Sequence, residues 1–359
     1  MDARPINPRR PRRGFTLVEM LVVVLIIGIL AGLITAAAFK AMDRAKLTVI
    51  KLDCSQLDMG MNAYKDKTGD YPPDFWGVAL TADNVVPGSS GSIPACDAAR
   101  SAVVRYLRKA FPRYIPGRPS GNTGTEWERV SADVAQYFGG AFPGFRDLTP
   151  ASAIVFWLGG MPALDGSKTL TGFSANPENP FAIGGSRTER LFEFDETRLV
   201  GFNETLATPA WRTWPTYVPE GIRIRYPGNP MPEENVPYVY FKARTNATTG
   251  RPEYGDVLTV PTELVPFSYQ HPQGSTANVC TPYISAFTGA TGPEVLTAVR
   301  TWENPTSFQI IAPGLDARFS GPQSPAQWRF TKDPTTLTDG DLDNVTNFSK
   351  GKLDDEIKQ

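Results

Sequence analysis

Apolar residues fill positions 20–39 almost without interruption: Thr35 is the one weakly polar residue, and there is no charge. A helix needs about 20 such residues to cross a ~30 Å hydrocarbon core, so this run predicts a membrane-spanning helix. Past Phe39 the pattern turns from continuous to periodic. Leu47, Ile50, Cys54, Leu57, Met61 and Tyr64 recur at spacings of three and four, while Lys40, Asp43, Arg44, Lys46, Lys51, Asp53 and Asp58 take the other faces. This is a single apolar stripe on a helix that continues beyond the membrane. Thr68-Gly69 signals its end, and Tyr71-Pro72-Pro73 cannot extend it. Counted from Phe15 to Lys67, such a helix is ~80 Å long at 1.5 Å per residue.

The remaining chain is less regular. A helix is expected over Asp97–Phe111, with Ala98, Val103, Tyr106, Leu107 and Ala110 sharing a face. A second, shorter one is expected over Thr149–Leu158, where Pro150 suits the first turn and the apolar content predicts burial. Gly159-Gly160 would stop it. Beyond Pro177, Arg190–Asp195, Val218–Tyr226, Val236–Ala243 and Phe308–Ala312 are strand candidates bounded by Pro, Gly or Asn. No repeat period is evident. The pattern predicts an α+β fold in which an antiparallel, loop-rich sheet domain packs on the long N-terminal helix.

Composition narrows the function. The 359 residues carry 36 basic and 37 acidic side chains. Without the first fourteen residues, which hold five arginines and Asp2, 31 basic face 36 acidic, with no nucleic-acid footprint. Gly 32 and Pro 33 fit a loop-rich domain, and 11% aromatic content argues against disorder. Three cysteines, Cys54, Cys96 and Cys280, allow one disulfide in an oxidising compartment. Cys54 lies on the helical stripe and reads as a buried thiol, so Cys96–Cys280 is the expected pair. No Cys/His spacing suggests zinc.

The residues ahead of the apolar run decide its character. Five arginines (Arg4, Arg9, Arg10, Arg12, Arg13) precede it, which by the positive-inside rule keeps the N-terminus cytoplasmic. Ala36-Ala37-Ala38 would suit a secretory signal peptide, and the whole run would suit a plain anchor. Neither accounts for Glu19, since an ionisable side chain within a spanning segment is costly and marks a functional site. Gly14-Phe15-Thr16-Leu17-Val18-Glu19, with arginines before it and an apolar helix after it, resembles the processing and methylation site of type IV pilins and type II secretion pseudopilins. Tyr64-Lys65-Asp66-Lys67-Thr68-Gly69-Asp70-Tyr71-Pro72 resembles the stretch that ends the helix in major pseudopilins.

The resemblance implies a pilin-like fold with four parts: a leader over 1–14, a transmembrane half-helix over 15–39, its extramembrane half over 40–68, and an ectodomain over 69–359. It implies that a prepilin peptidase cuts after Gly14, that Phe15 becomes an N-methylated terminus, and that Glu19 pairs with the Phe15 amine of a neighbouring subunit. That pairing would offset the cost of two charges in lipid and fix axial register. Gly28 and Gly32 form a small-xxx-small pair that permits close helix approach, and glycine at Gly28 matches the family. Ala36 stands where many members carry a proline. Implied partners are the peptidase, other pilin or pseudopilin subunits and the inner membrane, with the C-terminal domain extracytoplasmic.

Asp339-Gly340-Asp341-Leu342-Asp343-Asn344 places alternating carboxylates on a turn, a pattern that directs oxygens at a hard cation. It is not an EF-hand: Asn344 replaces the glycine of the sixth position and Lys350 the glutamate of the twelfth. Major pseudopilins carry a calcium loop after the last strand, and here Phe308-Gln309-Ile310-Ile311 and Gly314-Leu315-Asp316 resemble that strand and turn. The resemblance makes Asp316, Asp339, Asp341 and Asp343 candidate calcium ligands, and calcium the one candidate cofactor. A solvated acidic loop is the plain alternative.

Catalysis finds no support. The single histidine, His271, lies in a proline-bearing loop, and nucleophile-elbow, phosphate-loop and zinc-protease motifs are missing. Glu193 and Asp195 are a carboxylate pair of a kind any chain this long offers. Trp211 and Trp214, flanking Arg212, are either an exposed binding patch or core. The expected function is a non-enzymatic, prepilin-type structural subunit of a pilus or pseudopilus. The alternatives are a minor or tip subunit, or an anchored exported binding protein whose large ectodomain recognises a partner.

Overall fold

The computed structural model describes residues 16–78, 94–139, 144–203, 210–221, 235–246, 249–256, 265–270, 279–288, 299–319 and 339–357. The chain divides into two units, residues 1–45 and 46–359, and the division falls inside the first helix. That helix, α1, runs from Leu17 to Thr68. It is long and apolar enough to cross a membrane, and its apolar stretch is fully unburied. In the second unit the same helix buries one stripe: Ile50, Cys54, Leu57, Met61 and Tyr64 are in the core, as the periodicity predicts. Gly69, with φ +77°, closes the helix by donating its N–H to the Lys65 carbonyl, the αL ending that glycine favours.

Three further helices follow, and the first and third meet this stripe where Tyr106 and Trp157 pack on Tyr64. α2 (Pro94–Ala110) buries Ala99, Val103, Val104, Tyr106 and Leu107. Its face is rotated from the expected one, leaving Ala98 exposed and Ala99 buried. α3 (Glu126–Tyr137) opens with a capping box in which Thr125 and Glu128 satisfy each other's backbone N–H. α4 (Pro150–Gly159) has Thr149 as its cap, proline in its first turn, and every residue buried. Trp157 donates its indole N–H to the Pro73 carbonyl at 2.9 Å and stacks on Phe75. Gly60 lets α4 approach α1, since an added Cβ would sit 3.0 Å from Leu158.

The strands form small antiparallel sheets. β1 (Leu199–Asn203) pairs with β2 (Ala210–Tyr217). β3 is Val239–Lys242. β4 (Arg244–Thr245) pairs with β5 (Pro252–Glu253), β6 (Gly255–Asp256) with β7 (Val265–Pro266), and β8 (Tyr269–Gln270) with β9 (Val279–Cys280). β10 (Ile284–Thr288) pairs with β11 (Val299–Trp302). β12 (Phe308–Ala312), fully buried, is the centre of a three-stranded sheet between β13 (Val345–Thr346) and β3. Two short helices close the chain: α5 (Asp339–Leu342) and α6 (Leu353–Ile357). The fold is α+β, with β13 against α1: Lys51 Nζ donates to the Thr346 carbonyl at 2.9 Å.

Several local expectations change. Arg190–Asp195 is not a strand: Arg190 turns back onto Glu193, and Phe192 and Phe194 pack on Tyr217. Residues 218–221 of the expected Val218–Tyr226 strand follow β2 and are not strand, and residues 222–226 are outside the described residues. Trp211 and Trp214 are core, not a surface patch. The Cys96–Cys280 pair is not made. All three cysteines are buried thiols, Cys96 in the first turns of α2 and Cys280 on β9 opposite Tyr269. Burial raises the pKa of each, Cys54 to about 12, leaving them poorly ionised.

Candidate functional site

Gly14 and Phe15 lie outside the described residues, which start at Thr16. Thr16 and Glu19 form a capping box at the start of α1. Glu19 Oε2 accepts from the Thr16 N–H and hydroxyl, both at 2.8 Å, and Thr16 Oγ1 accepts from the Glu19 N–H at 3.2 Å. A carboxylate here also answers the positive end of the helix. Glu19 therefore has a local partner as well as a position in an apolar span. Gly28 and Gly32 have nothing within 4 Å of an added Cβ, so the backbone is open at both positions.

Beyond the membrane-length stretch, α1 carries a second apolar row that the sequence reading missed. Val49, Leu52 and Met59 are 39%, 56% and 61% exposed, and Gln56 and Ala63 complete a three-four-three-four spacing. The row lies on the face away from the buried stripe of Ile50, Cys54, Leu57, Met61 and Tyr64. Of the two rows on this helix, one is in the protein's own core and the other is exposed.

The acidic turn is partly assembled. Asp343 Oδ2 accepts from the Leu315 N–H at 2.6 Å and the Asp316 N–H at 3.2 Å. Asp343 Oδ1 is buried with no hydrogen-bond partner among the described residues. Partial burial raises the Asp316 pKa to about 6, with the neighbouring Asp343 charge adding to it, and burial raises Asp343 as well. Gly314 makes the turn possible, since an added Cβ would collide with the Asp343 carboxylate at 2.0 Å. Asp341 points elsewhere and accepts from the Tyr283 hydroxyl at 3.1 Å. The Asp339 side chain is outside the described set. Among the described residues no three acid, histidine or cysteine side chains converge. Of the four expected ligands, Asp316 and Asp343 lie side by side, Asp341 is engaged with Tyr283, and the Asp339 side chain lies outside the described residues. An orphaned buried carboxylate oxygen beside a second carboxylate is nevertheless a chemistry that a hard cation fits.

Residues 9–35 match the family model for the prokaryotic N-terminal methylation motif. The N-terminal segment thus carries a prepilin-type motif. The chain is 42% identical over 64 residues to type II secretion system core protein G of Pseudomonas aeruginosa, which is 18% of this chain and 45% of that protein. It is 33% identical over 87 residues to the protein of the same name from Klebsiella michiganensis, 24% of this chain and 61% of the relative. The chain therefore spans about half the length of the curated relatives it matches. No solved structure matches it. The similarity is to pseudopilins, and most of this chain lies outside the aligned stretch.

Proposed function

We propose that this chain is a structural subunit of a pseudopilus or pilus, cut after Gly14 by a prepilin peptidase, N-methylated at Phe15, and packed through α1 against other subunits. Its N-terminus would stay cytoplasmic, with α1 crossing the inner membrane and residues beyond it extracytoplasmic. The observation that carries the assembly reading is the exposed row Val49, Leu52 and Met59, which continues an unburied apolar helix into water. Exposed apolar rows of this length mark an interaction site. Lys at both Leu52 and Met59 tests it. The double variant should fold with an unchanged melting temperature and be lost from filaments; unchanged incorporation would remove this face from the assembly. The activity is mechanical, the chain being a substrate of the peptidase and not itself an enzyme.

A minor or tip subunit is the second reading, and one observation favours it. The aligned stretch is 45% of the Pseudomonas relative but 18% of this chain, so the head is much the larger here. A bulky head crowds a filament lattice and suits a subunit present in few copies that recognises a partner. Calcium, if bound, would be held by Asp343 Oδ1 and Asp316, where it would relieve the repulsion of two carboxylates and tie the β12 turn to the C-terminal segment.

A further inference from the structure

The ends of three helices meet around a pocket of about 270 Å³, near the ~300 Å³ lower end of small-molecule sites. Its apolar walls are aromatic: Trp157 on α4, and Phe111 packed edge-on to Phe173 at 5.3 Å. Its floor is backbone. Gly160 and Gly172 pair so closely that an added Cβ on Gly160 would fall 2.3 Å from Gly172. Lys67 and Lys109, in the last turns of α1 and α2, are exposed at its mouth, and Lys109 lies over Gly69, the residue that ends α1. Neither lysine forms an ion pair among the described residues. Arg190, also in the wall, is already engaged with the Leu170 carbonyl and with Glu193. Exposed Glu189 is the one carboxylate in the lining.

Tyr64 supplies the further observation. It is 6% exposed, lines this pocket, and its hydroxyl makes no hydrogen bond among the described residues. Its ring is held by Trp157 and Tyr106 at 5.8 and 6.1 Å. Burial alone raises its pKa, so the phenol stays protonated and can donate. A hydroxyl with no protein partner, on a residue that lines a cavity, is free to donate to a ligand acceptor.

We propose that this pocket binds a carboxylate carried on an aromatic or branched apolar group, the apolar body against Trp157 and Phe111 and the carboxylate between Tyr64 Oη, Lys67 and Lys109. The C-terminal residue of a polypeptide and a free organic acid share this chemistry. The proposal does not depend on filament assembly.

The test is calorimetric titration of the full-length protein in detergent micelles with N-acetyl-L-phenylalanine, its amide, and 3-phenylpropionate. N-acetyl-L-phenylalanine should bind saturably, and its amide about ten-fold or more weakly, as expected for losing a charge-assisted hydrogen bond. Lys67→Glu with Lys109→Glu should weaken the acid by at least about ten-fold, with circular dichroism unchanged. Tyr64→Phe should weaken it several-fold without lowering the melting temperature, because the lost hydroxyl has no protein partner. Preference for N-acetyl-L-phenylalanine over 3-phenylpropionate assigns the site to a peptide terminus, and equal binding to a free acid. The proposal fails if the amide binds as well as the acid, if no acid saturates, or if the double variant binds like the parent.

Discussion

Arg198 donates to both carboxylate oxygens of Asp53, Nη2 to Oδ2 at 2.5 Å and Nη1 to Oδ1 at 3.3 Å, in a pair whose side chains are about nine-tenths buried. Tyr238 adds a hydroxyl to Asp53 Oδ2 at 2.7 Å, Arg198 Nε reaches the Val218 carbonyl, and the guanidinium lies over the Tyr217 ring at 4.3 Å. One acid on α1 thus ties the helix to the turn before β1 and to the residue before β3. Asp53→Ala would leave Arg198 buried and unpaired, at a cost of about 3–5 kcal/mol. Chemical denaturation of the two variants checks this: Asp53→Ala alone should be severely destabilised, and adding Arg198→Met should recover much of the loss. A single variant within 1 kcal/mol of the parent, roughly the value of a solvated pair, would show that the pair is not buried in solution.

How far the sequence carried the fold depended on the range of the interactions. The stripe from Leu47 to Tyr64, the buried α4 and the strand Phe308–Ala312 follow from local patterns, and all are present. The helix α3 was missed although Thr125-x-x-Glu128 spells its capping box, because its apolar face is short and mixed. β2 was missed because Pro215 sits inside it, a position tolerated where a strand pairs on one side only. The Gly201 bulge, φ +115°, further disguises β1. Asp53 read as a solvated face residue because its partner is 145 positions away. The exposed row on α1 is present in the sequence, but Val49, Leu52 and Met59 are interleaved with the core stripe, which masks their separate periodicity.

Calcium should act through Asp343. If the orphaned Oδ1 and Asp316 hold the ion, adding calcium should raise the melting temperature of the full-length protein, and EDTA should reverse it. Ligand-linked stabilisation of about 2.7 kcal/mol at a hundred-fold excess over Kd is the scale to expect. Asp343→Asn should abolish the response, and Gly314→Ala should do the same by displacing the carboxylate. Equal melting temperatures in calcium and EDTA for the parent protein would leave an acidic turn and no site.

The two roles open to Glu19 can be separated by chemistry. Glutamine keeps a side-chain oxygen to accept from Thr16 but carries no charge. Glu19→Gln should therefore preserve the helix start and processing while losing most filament incorporation, assayed by shearing and blotting. Wild-type incorporation of Glu19→Gln, together with failure of Glu19→Ala, would make the capping box with Thr16 the function and would end the intersubunit pairing with Phe15.

The most direct measurement is the mass and N-terminal sequence of the protein recovered after co-expression with a prepilin peptidase. The account predicts loss of residues 1–14, a new N-terminus at Phe15 carrying one added methyl group, and no processing in Gly14→Ala. A terminus created after Ala38, or an intact leader with active peptidase present, would contradict it.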